Sequence, residues 1–332
     1  MADRPGAPNP LLQLASMPAD LARVDDELRK AVETDDDLLT EIAGHLIKAG
    51  GKRLRPGFVV ASALVGATEM GPASHDVVLG GVSVELVHLG SLYHDDVMDE
   101  AKTRRTVDSV NARWGNLKAI LGGDFLLAKA SEIAAGLGTE VAGLLAATIA
   151  KLCEGQVREL RNIFNIDRSE DSYFSAIAGK TAALFAASTR IGAIVGGLSR
   201  TDIDRLSSFG TNYGMAFQIV DDILDLVSTE EELGKPSGND LMQGVYTLPV
   251  IRTLAGPEGT RLRSQLGRPY TKEEVEAPRS LIVGTDAVAT SVATAKLYLD
   301  RALQDIKPLA DQPGTQALRG AAEHLLGTLV LS

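Results

Sequence analysis

Two short acidic segments have the residue types and spacing that metal or phosphate chemistry would need. In SVELVHLGSLYHDDVMDE (83–100), Asp95, Asp96 and Asp99 follow several apolar turns, and in FQIVDDILDL (217–226), Asp221, Asp222 and Asp225 do the same. A helix advances ~100° per residue, so the first and last aspartates of each set lie about 40° apart on one face, with His88 close to the face of Asp95. Carboxylates one turn apart repel each other, and charge in an apolar run is costly unless something pairs with it. A single DxxxD would read as a solvated surface pair. Two of them, each closing an apolar helix, call for a cation. Mg²⁺ is the natural candidate, because it binds through one or two carboxylates together with phosphate oxygens and water. Two facing segments of this kind would hold several Mg²⁺ ions and clamp a diphosphate between them.

The opposite charge is also present. In AGGKRLRPG (49–57), Lys52, Arg53 and Arg55 follow a glycine pair, and Pro56 can open the next helix at its first turn. Arg104 and Arg105 form a second basic cluster just after the first acidic segment. Arginine forks grip phosphate oxygens bidentately, and lysine acts as a point charge. Two acidic and two basic clusters would give two diphosphates chemically distinct seats.

The rest of the chain must position these groups. Its 332 residues are 45% hydrophobic and 23% charged, a globular composition able to bury a core. A net charge of −11 argues against a nucleic-acid binder, which needs a basic face, but leaves room for anionic small molecules at a local basic cluster. The lone Cys153 excludes an internal disulfide and a multi-cysteine metal site, and reads as a buried spectator thiol. MADRPGAPNP lacks the order of a signal peptide, and Lys151 and Arg190 interrupt the longest apolar stretches. A cytoplasmic chain without a membrane span is expected.

Alternating strand patterns are nearly absent. Apolar residues recur at helical spacing, which predicts helices near 18–33, 36–49, 54–66, 75–100, 108–113, 116–136, 139–162, 170–197, 202–227, 240–255, 258–266, 271–283, 285–306 and 313–330. Residues 1–10 read as a flexible arm, 228–240 as a charged loop, and 11–332 as one all-α domain. Neither a GxxxxGK[ST] nor a strand-borne GxGxxG is present, so the common α/β phosphate loops are excluded.

The ordered set GGKRLRP, HDDVMDEAKTRR, GDFLLAKA, GKTAALF, FQIVDDILD and GKPSGNDLMQGVYTLP, spanning roughly residues 45–255, resembles the trans-type polyprenyl diphosphate synthases. The resemblance implies an all-α isoprenoid-synthase-type bundle around a deep central cavity, a homodimer, and three Mg²⁺ ions per site. It implies a transferase that joins isopentenyl diphosphate to an allylic prenyl diphosphate and releases pyrophosphate. By that resemblance, Asp95, Asp99, Asp221, Asp222 and Asp225 are metal ligands, and Asp95, Asp96, Asp99, Lys180, Gln218 and Asp221 form the catalytic set. Lys52, Arg55, His88 and Arg105 match the isopentenyl diphosphate seat, and Arg53 is a further substrate-binding candidate. Arg104, Lys180, Thr181, Gln218 and Lys235 match the allylic one. One departure is Val245, where many members carry a lysine. A terpene cyclase would not need the second diphosphate seat. A non-catalytic synthase subunit would usually have lost aspartates or arginines, and none is lost here.

A product growing down the helix of Asp95 would first meet Gly90 and Ser91, then Val87, with Phe125 or Leu127 as a facing floor. None of the first three is aromatic. A product of about thirty to fifty carbons, of the kind used for a quinone side chain, is expected. A geranylgeranyl or farnesyl product is the alternative.

Overall fold

The computed structural model describes residues 9–67, 71–229 and 237–330. Its elements, in chain order, are a 3₁₀ turn (Pro10–Gln13), α1 (Met17–Ala31), α2 (Asp37–Lys48), α3 (Leu54–Ala63), a 3₁₀ turn (Leu64–Gly66) and α4 (His75–Met98). A two-stranded hairpin follows, β1 (Thr103–Arg104) and β2 (Val107–Asp108), then α5 (Val110–Trp114), α6 (Asn116–Gly136), α7 (Thr139–Leu160) and α8 (Glu170–Ile177). A π turn (Ala178–Ala182) leads into α9 (Ala183–Val195) and α10 (Arg200–Val227). The chain ends with α11 (Asn239–Met242), α12 (Leu248–Ala255), α13 (Gly259–Arg263), α14 (Glu276–Val283), α15 (Ala287–Ile306) and α16 (Pro313–Val330). The fold is all-α, as the periodicity predicts.

Small polar residues set several of the helix starts. Asp36, Ser74, Ser109, Ser169 and Ser199 each accept a hydrogen bond from an otherwise orphaned N–H in the first turn of α2, α4, α5, α8 and α10. α4 is buried on nearly every side between Val77 and Gly90, as befits a helix apolar all round. It packs against α3, α6 and α9, while α10 lies along α9 and α15. Its length and hydropathy would let it cross a membrane, but 72% of its apolar window is buried inside the protein. Phe58, Phe185, Phe209 and Tyr213 form an aromatic centre, with Phe58 to Tyr213 centroids 4.6 Å apart. A second apolar cluster, from Leu226 to Ile282, gathers α11 to α14.

The structure corrects four expected elements. The helix expected over 240–255 breaks after Met242, because Gly244 takes φ +75° and Pro249 sits near the start of α12. The ring of Phe164 occupies the space that a Cβ at Gly244 would need. The run expected over 170–197 contains the π turn, and 271–275 lies outside α14. The hairpin over 103–108 was hidden by its shortness; Arg105 and Thr106 at its tip have φ 51° and 66°. Within the span expected as an arm, Asn9 caps the first 3₁₀ turn through Leu11 N, and residues 1–8 lie outside the described residues.

Candidate active site

Both acidic segments sit at helix C-termini. Asp95 and Asp96 lie in the last turn of α4, and Asp99 is its C-cap; Asp221, Asp222 and Asp225 lie in the last two turns of α10. A helix C-terminus already carries partial negative charge, so carboxylates there are doubly unfavourable without a cation. The members of each set nevertheless have different fates.

Asp96 is fully buried and takes both Nε (2.7 Å) and Nη2 (2.6 Å) of Arg104 on one oxygen. The hairpin turn brings that arginine back over the helix end. Burial raises the Asp96 carboxyl, and Arg104 opposes the rise. Asp95 is half-buried; burial raises it, the nearby Lys180 charge opposes this, and Asp99 reinforces it. Asp99 is exposed.

In α10, Asp222 accepts from Tyr173 Oη (2.6 Å) and from Gln218 Nε2 (2.7 Å), one donor on each oxygen. Burial pushes its carboxyl up to about 7 against those two hydrogen bonds. Asp225 is 1% exposed, and its carboxylate accepts from Asp240 N (3.1 Å) while its carbonyl accepts from Gly238 N (2.7 Å). The five expected ligands therefore differ in their surroundings. Asp95, Asp99 and Asp221 stay presentable, whereas Asp222 and Asp225 are held by the scaffold.

No three His, Cys, Asp or Glu side chains converge into a closed metal cage among the described residues. That fits a hard divalent cation that draws its remaining ligands from phosphate and water. The carboxylate donors at two helix C-termini suit such an ion.

The basic cluster is built around Glu85, a carboxylate 2% exposed on α4. Arg53 donates to Glu85 (2.8 Å), to Asp25 (2.7 Å) and to Ile47 O (3.2 Å). Arg53 is thus tied into the scaffold by two carboxylates and a carbonyl. Its φ of 49° turns the chain so that Arg55 points elsewhere. The Arg55 guanidinium lies 4.9 Å from the Phe185 ring centroid, and its Nε finds no hydrogen-bond partner among the described residues. Burial, helped by Arg105, lowers it to about 10, although Glu85 opposes the shift. Arg105 donates to Gly50 O and Leu46 O and lies 3.8 Å from Glu85. It rests on Gly51, where a Cβ would come within 2.8 Å, so the glycine pair serves this close approach. His88 is held well below its usual value by burial and by the four arginines 53, 55, 104 and 105. Lys52 is exposed beside this group. Three guanidiniums against Glu85 and Asp25 leave net positive charge for an anion.

The π turn joins the two acidic helix ends. Its extra residue swings Lys180 toward Asp95 and Thr181 onto Gln218, whose Oε1 accepts from Thr181 Oγ1 at 2.6 Å. Gly155 and Gly179 permit this by letting α7 and the turn meet backbone to backbone; a Cβ at Gly155 would lie 2.3 Å from Lys180 N.

Below Asp95 and Lys180 runs a cavity of ≈ 410 Å³ walled by Ser91, Leu127, Ile149 and Leu152. It is within the ~300–1,000 Å³ range of ligand pockets. Ser91 and Leu127 line it, whereas Gly90, Val87 and Phe125 do not. Gly90 faces α6, where a Cβ would meet Gly123 O at 3.0 Å; Val87 is in the core; Phe125 packs against the core. Cys153 is exposed and also lines this cavity, contrary to the expected buried thiol. Lys235 lies outside the described residues. Glu85 and Tyr173 are site residues that the motifs did not reveal. Glu85 had a visible signal, a charge inside an apolar run; Tyr173 had none.

Comparison with known proteins agrees with this geometry. Residues 36–281 match the family model described as polyprenyl synthetase. The chain is 38% identical to the nonaprenyl diphosphate synthase of Mycobacterium tuberculosis, over 93% of this chain and 92% of the relative. It is 39% identical to the heptaprenyl diphosphate synthase component 2 of Geobacillus stearothermophilus, over 92% and 95% of the two chains. The crystal structure of the Caulobacter crescentus polyprenyl synthase, complexed with calcium and isoprenyl diphosphate, superposes with a TM-score of 0.88 at 32% identity and covers 98% of each chain. With the family model covering most of its length and these relatives matching nearly all of it, the chain belongs to the polyprenyl synthetase family.

Proposed function

We propose that this protein condenses isopentenyl diphosphate with an allylic prenyl diphosphate, releasing pyrophosphate and making a polyprenyl diphosphate of about thirty to fifty carbons, for which the cavity is the binding space. The observation that carries this reading is the π turn. It sets Lys180 against one acidic helix end and Thr181–Gln218 against the other, directly above an apolar cavity.

In this reading, Asp95, Asp99 and Asp221 hold divalent cations, taken to be Mg²⁺. When bound, those ions supply positive charge to the leaving pyrophosphate oxygens. Lys180 adds charge at the same place, a preorganised electrostatic contribution that costs no reorganisation. The allylic C–O bond breaks with its electron pair leaving on pyrophosphate. Lys52, Arg55 and Arg105 hold the second diphosphate, so that the terminal double bond of isopentenyl diphosphate meets the cation at close range. The new C–C bond forms from that π pair, and a proton leaves C2 for the departing pyrophosphate. Neutral His88 fits a hydrogen-bonding role at the diphosphate rather than a charge. The product tail enters the cavity past Ser91 and Leu127.

Relatives named for seven- and nine-unit products support the longer chain, as does the absence of an aromatic side chain at Ser91. A homodimer is supported by apolar exposure on α6, where Leu117 is 80% and Leu121 64% exposed. One domain and a cytoplasmic location complete the reading. A relative named as component 2 makes the decisive assay one on the pure chain alone. Incubated with isopentenyl diphosphate, Mg²⁺ and farnesyl or geranylgeranyl diphosphate, it should yield products of thirty or more carbons by mass spectrometry. No elongation from any starter would overturn the reading, and activity restored only by a second protein would replace it with a two-component synthase.

A further inference from the structure

A buried phenol outside all of the motifs donates to one of their aspartates. Tyr173, on α8, is 1% exposed, and its Oη donates to Asp222 Oδ2 at 2.6 Å. Its ring is fixed from behind. The Arg168 guanidinium lies 5.5 Å from the ring centroid, and Arg168 is held by both oxygens of Glu159 (3.2 and 2.8 Å) and by Tyr246 O (3.0 Å). The phenol therefore has a position dictated by α7 and by the segment before α12.

From Tyr173 the hydrogen bonds run in one direction. The phenol occupies Asp222 Oδ2, and Asp222 Oδ1 accepts from the NH₂ end of the Gln218 amide at 2.7 Å. That turns Gln218 Oε1 toward Thr181, whose hydroxyl gives its single hydrogen to it at 2.6 Å. With its hydrogen used, Thr181 Oγ1 keeps lone pairs, and so does Gln218 Oε1. Residues from α8, α10 and the π turn thus form one oriented chain that ends beside Lys180. If Asp222 rotated away, the amide could flip and both ends would change sign.

We propose that Tyr173 is a positioning residue that, through Asp222 and Gln218, fixes the Gln218 and Thr181 oxygens as acceptors toward the allylic carbocation. This rests on the prenyl-transfer reading above and adds to it a residue that never touches substrate. Fixed acceptor dipoles stabilise positive charge as it develops and leave the binding of the second diphosphate unaffected.

The test compares wild type, Tyr173→Phe, Thr181→Val and the double variant, all with Mg²⁺, farnesyl diphosphate and isopentenyl diphosphate. Each is assayed below its own melting temperature, and isopentenyl diphosphate binding is measured by calorimetry. The expected result is a kcat lowered about tenfold or more in Tyr173→Phe, with KM and Kd for isopentenyl diphosphate within twofold of wild type. Because one chain is being cut at two links, the double variant should be no slower than the slower single variant. A Tyr173→Phe kcat within twofold of wild type would overturn the assignment, as would single-variant effects that multiply. So would a loss seen only in isopentenyl diphosphate affinity. A wild-type protein that elongates nothing would instead remove the prenyl-transfer reading itself.

Discussion

Ser91→Phe should shorten the product, whereas Gly90→Phe, one residue away, should instead damage the fold. Ser91 lines the cavity one turn before Asp95, a rise of about 6 Å along α4. A phenyl ring there fills the space that the tail needs once it has passed the diphosphate seat. Burying one CH₂ is worth ~0.8 kcal/mol, so denying space to a single five-carbon unit removes about 4 kcal/mol of binding. At 1.4 kcal/mol per decade, that is roughly a thousandfold penalty on growth past the block. Products should fall to about fifteen or twenty carbons, a block set by the depth of one helical turn. The melting temperature should hold or rise, because the ring gains burial. At Gly90 the added Cβ already meets Gly123 O at 3.0 Å and Leu127 Cγ at 3.1 Å where α4 packs on α6, so a ring there overpacks the pair by ~1–3 kcal/mol or more. Liquid chromatography with mass spectrometry of the products, together with thermal melts of both variants, checks this. An unchanged product distribution in a well-folded Ser91→Phe would refute the reasoning, and so would a stable, chain-shortening Gly90→Phe.

Asp95→Ala should cut turnover by several orders of magnitude while the apo melting temperature stays level or rises, because burial and Asp99 already disfavour that charge; near-normal turnover at saturating Mg²⁺ contradicts it. Arg104→Ala leaves buried Asp96 without its guanidinium and should cost about 3 kcal/mol in urea melts, the low end for a broken buried pair because Arg104 is 31% exposed. Adding Asp96→Asn should recover most of that loss, and no recovery would show that the pair is not the cause. Val245 is half-buried and belongs to neither apolar cluster, so Val245→Lys should keep wild-type stability and tighten allylic binding by about 1 kcal/mol, read from KM. A fall of several kcal/mol in stability would mean that the site is packed after all. Asp222, raised to about 7, keeps its proton in the folded chain at a pH where the unfolded chain, near 4, has lost it. Wild-type stability relative to Asp222→Asn should therefore decline as pH rises from about 4 to about 7, by at most ~1.4 kcal/mol per unit. An identical difference at pH 5 and pH 8 contradicts that sign.

Much of this site could be read from the sequence because charge in an apolar helix is rare and must be compensated. The helix starts were legible too, since Ser74, Ser169 and Ser199 precede apolar periodicity with an N–H to bind. The π turn was not, because its i→i+5 pairing leaves no trace in a 3.6-residue pattern; its only marks are Gly155 and Gly179, which are far apart in sequence. Nor could the chain show which charges would pair. Arg53 meets Asp25 and Glu85 across 28 and 32 residues, and Tyr173 meets Asp222 across 49. Yet one part of the outcome follows from geometry alone. Adjacent helical residues point ~100° apart, so the two members of an Asp-Asp doublet cannot both face one cleft. One must turn inward, and a buried carboxylate needs a donor from the protein. Asp96 has Arg104 and Asp222 has Tyr173 and Gln218, while Asp95 and Asp221 stay half-exposed. The basic segment divides in the same way, with Arg53 tied into the scaffold and the Arg55 Nε without a hydrogen-bond partner among the described residues. Each charged motif is therefore half scaffold and half site. The inward half holds the outward half at the position where a diphosphate and its cations would complete the charge balance.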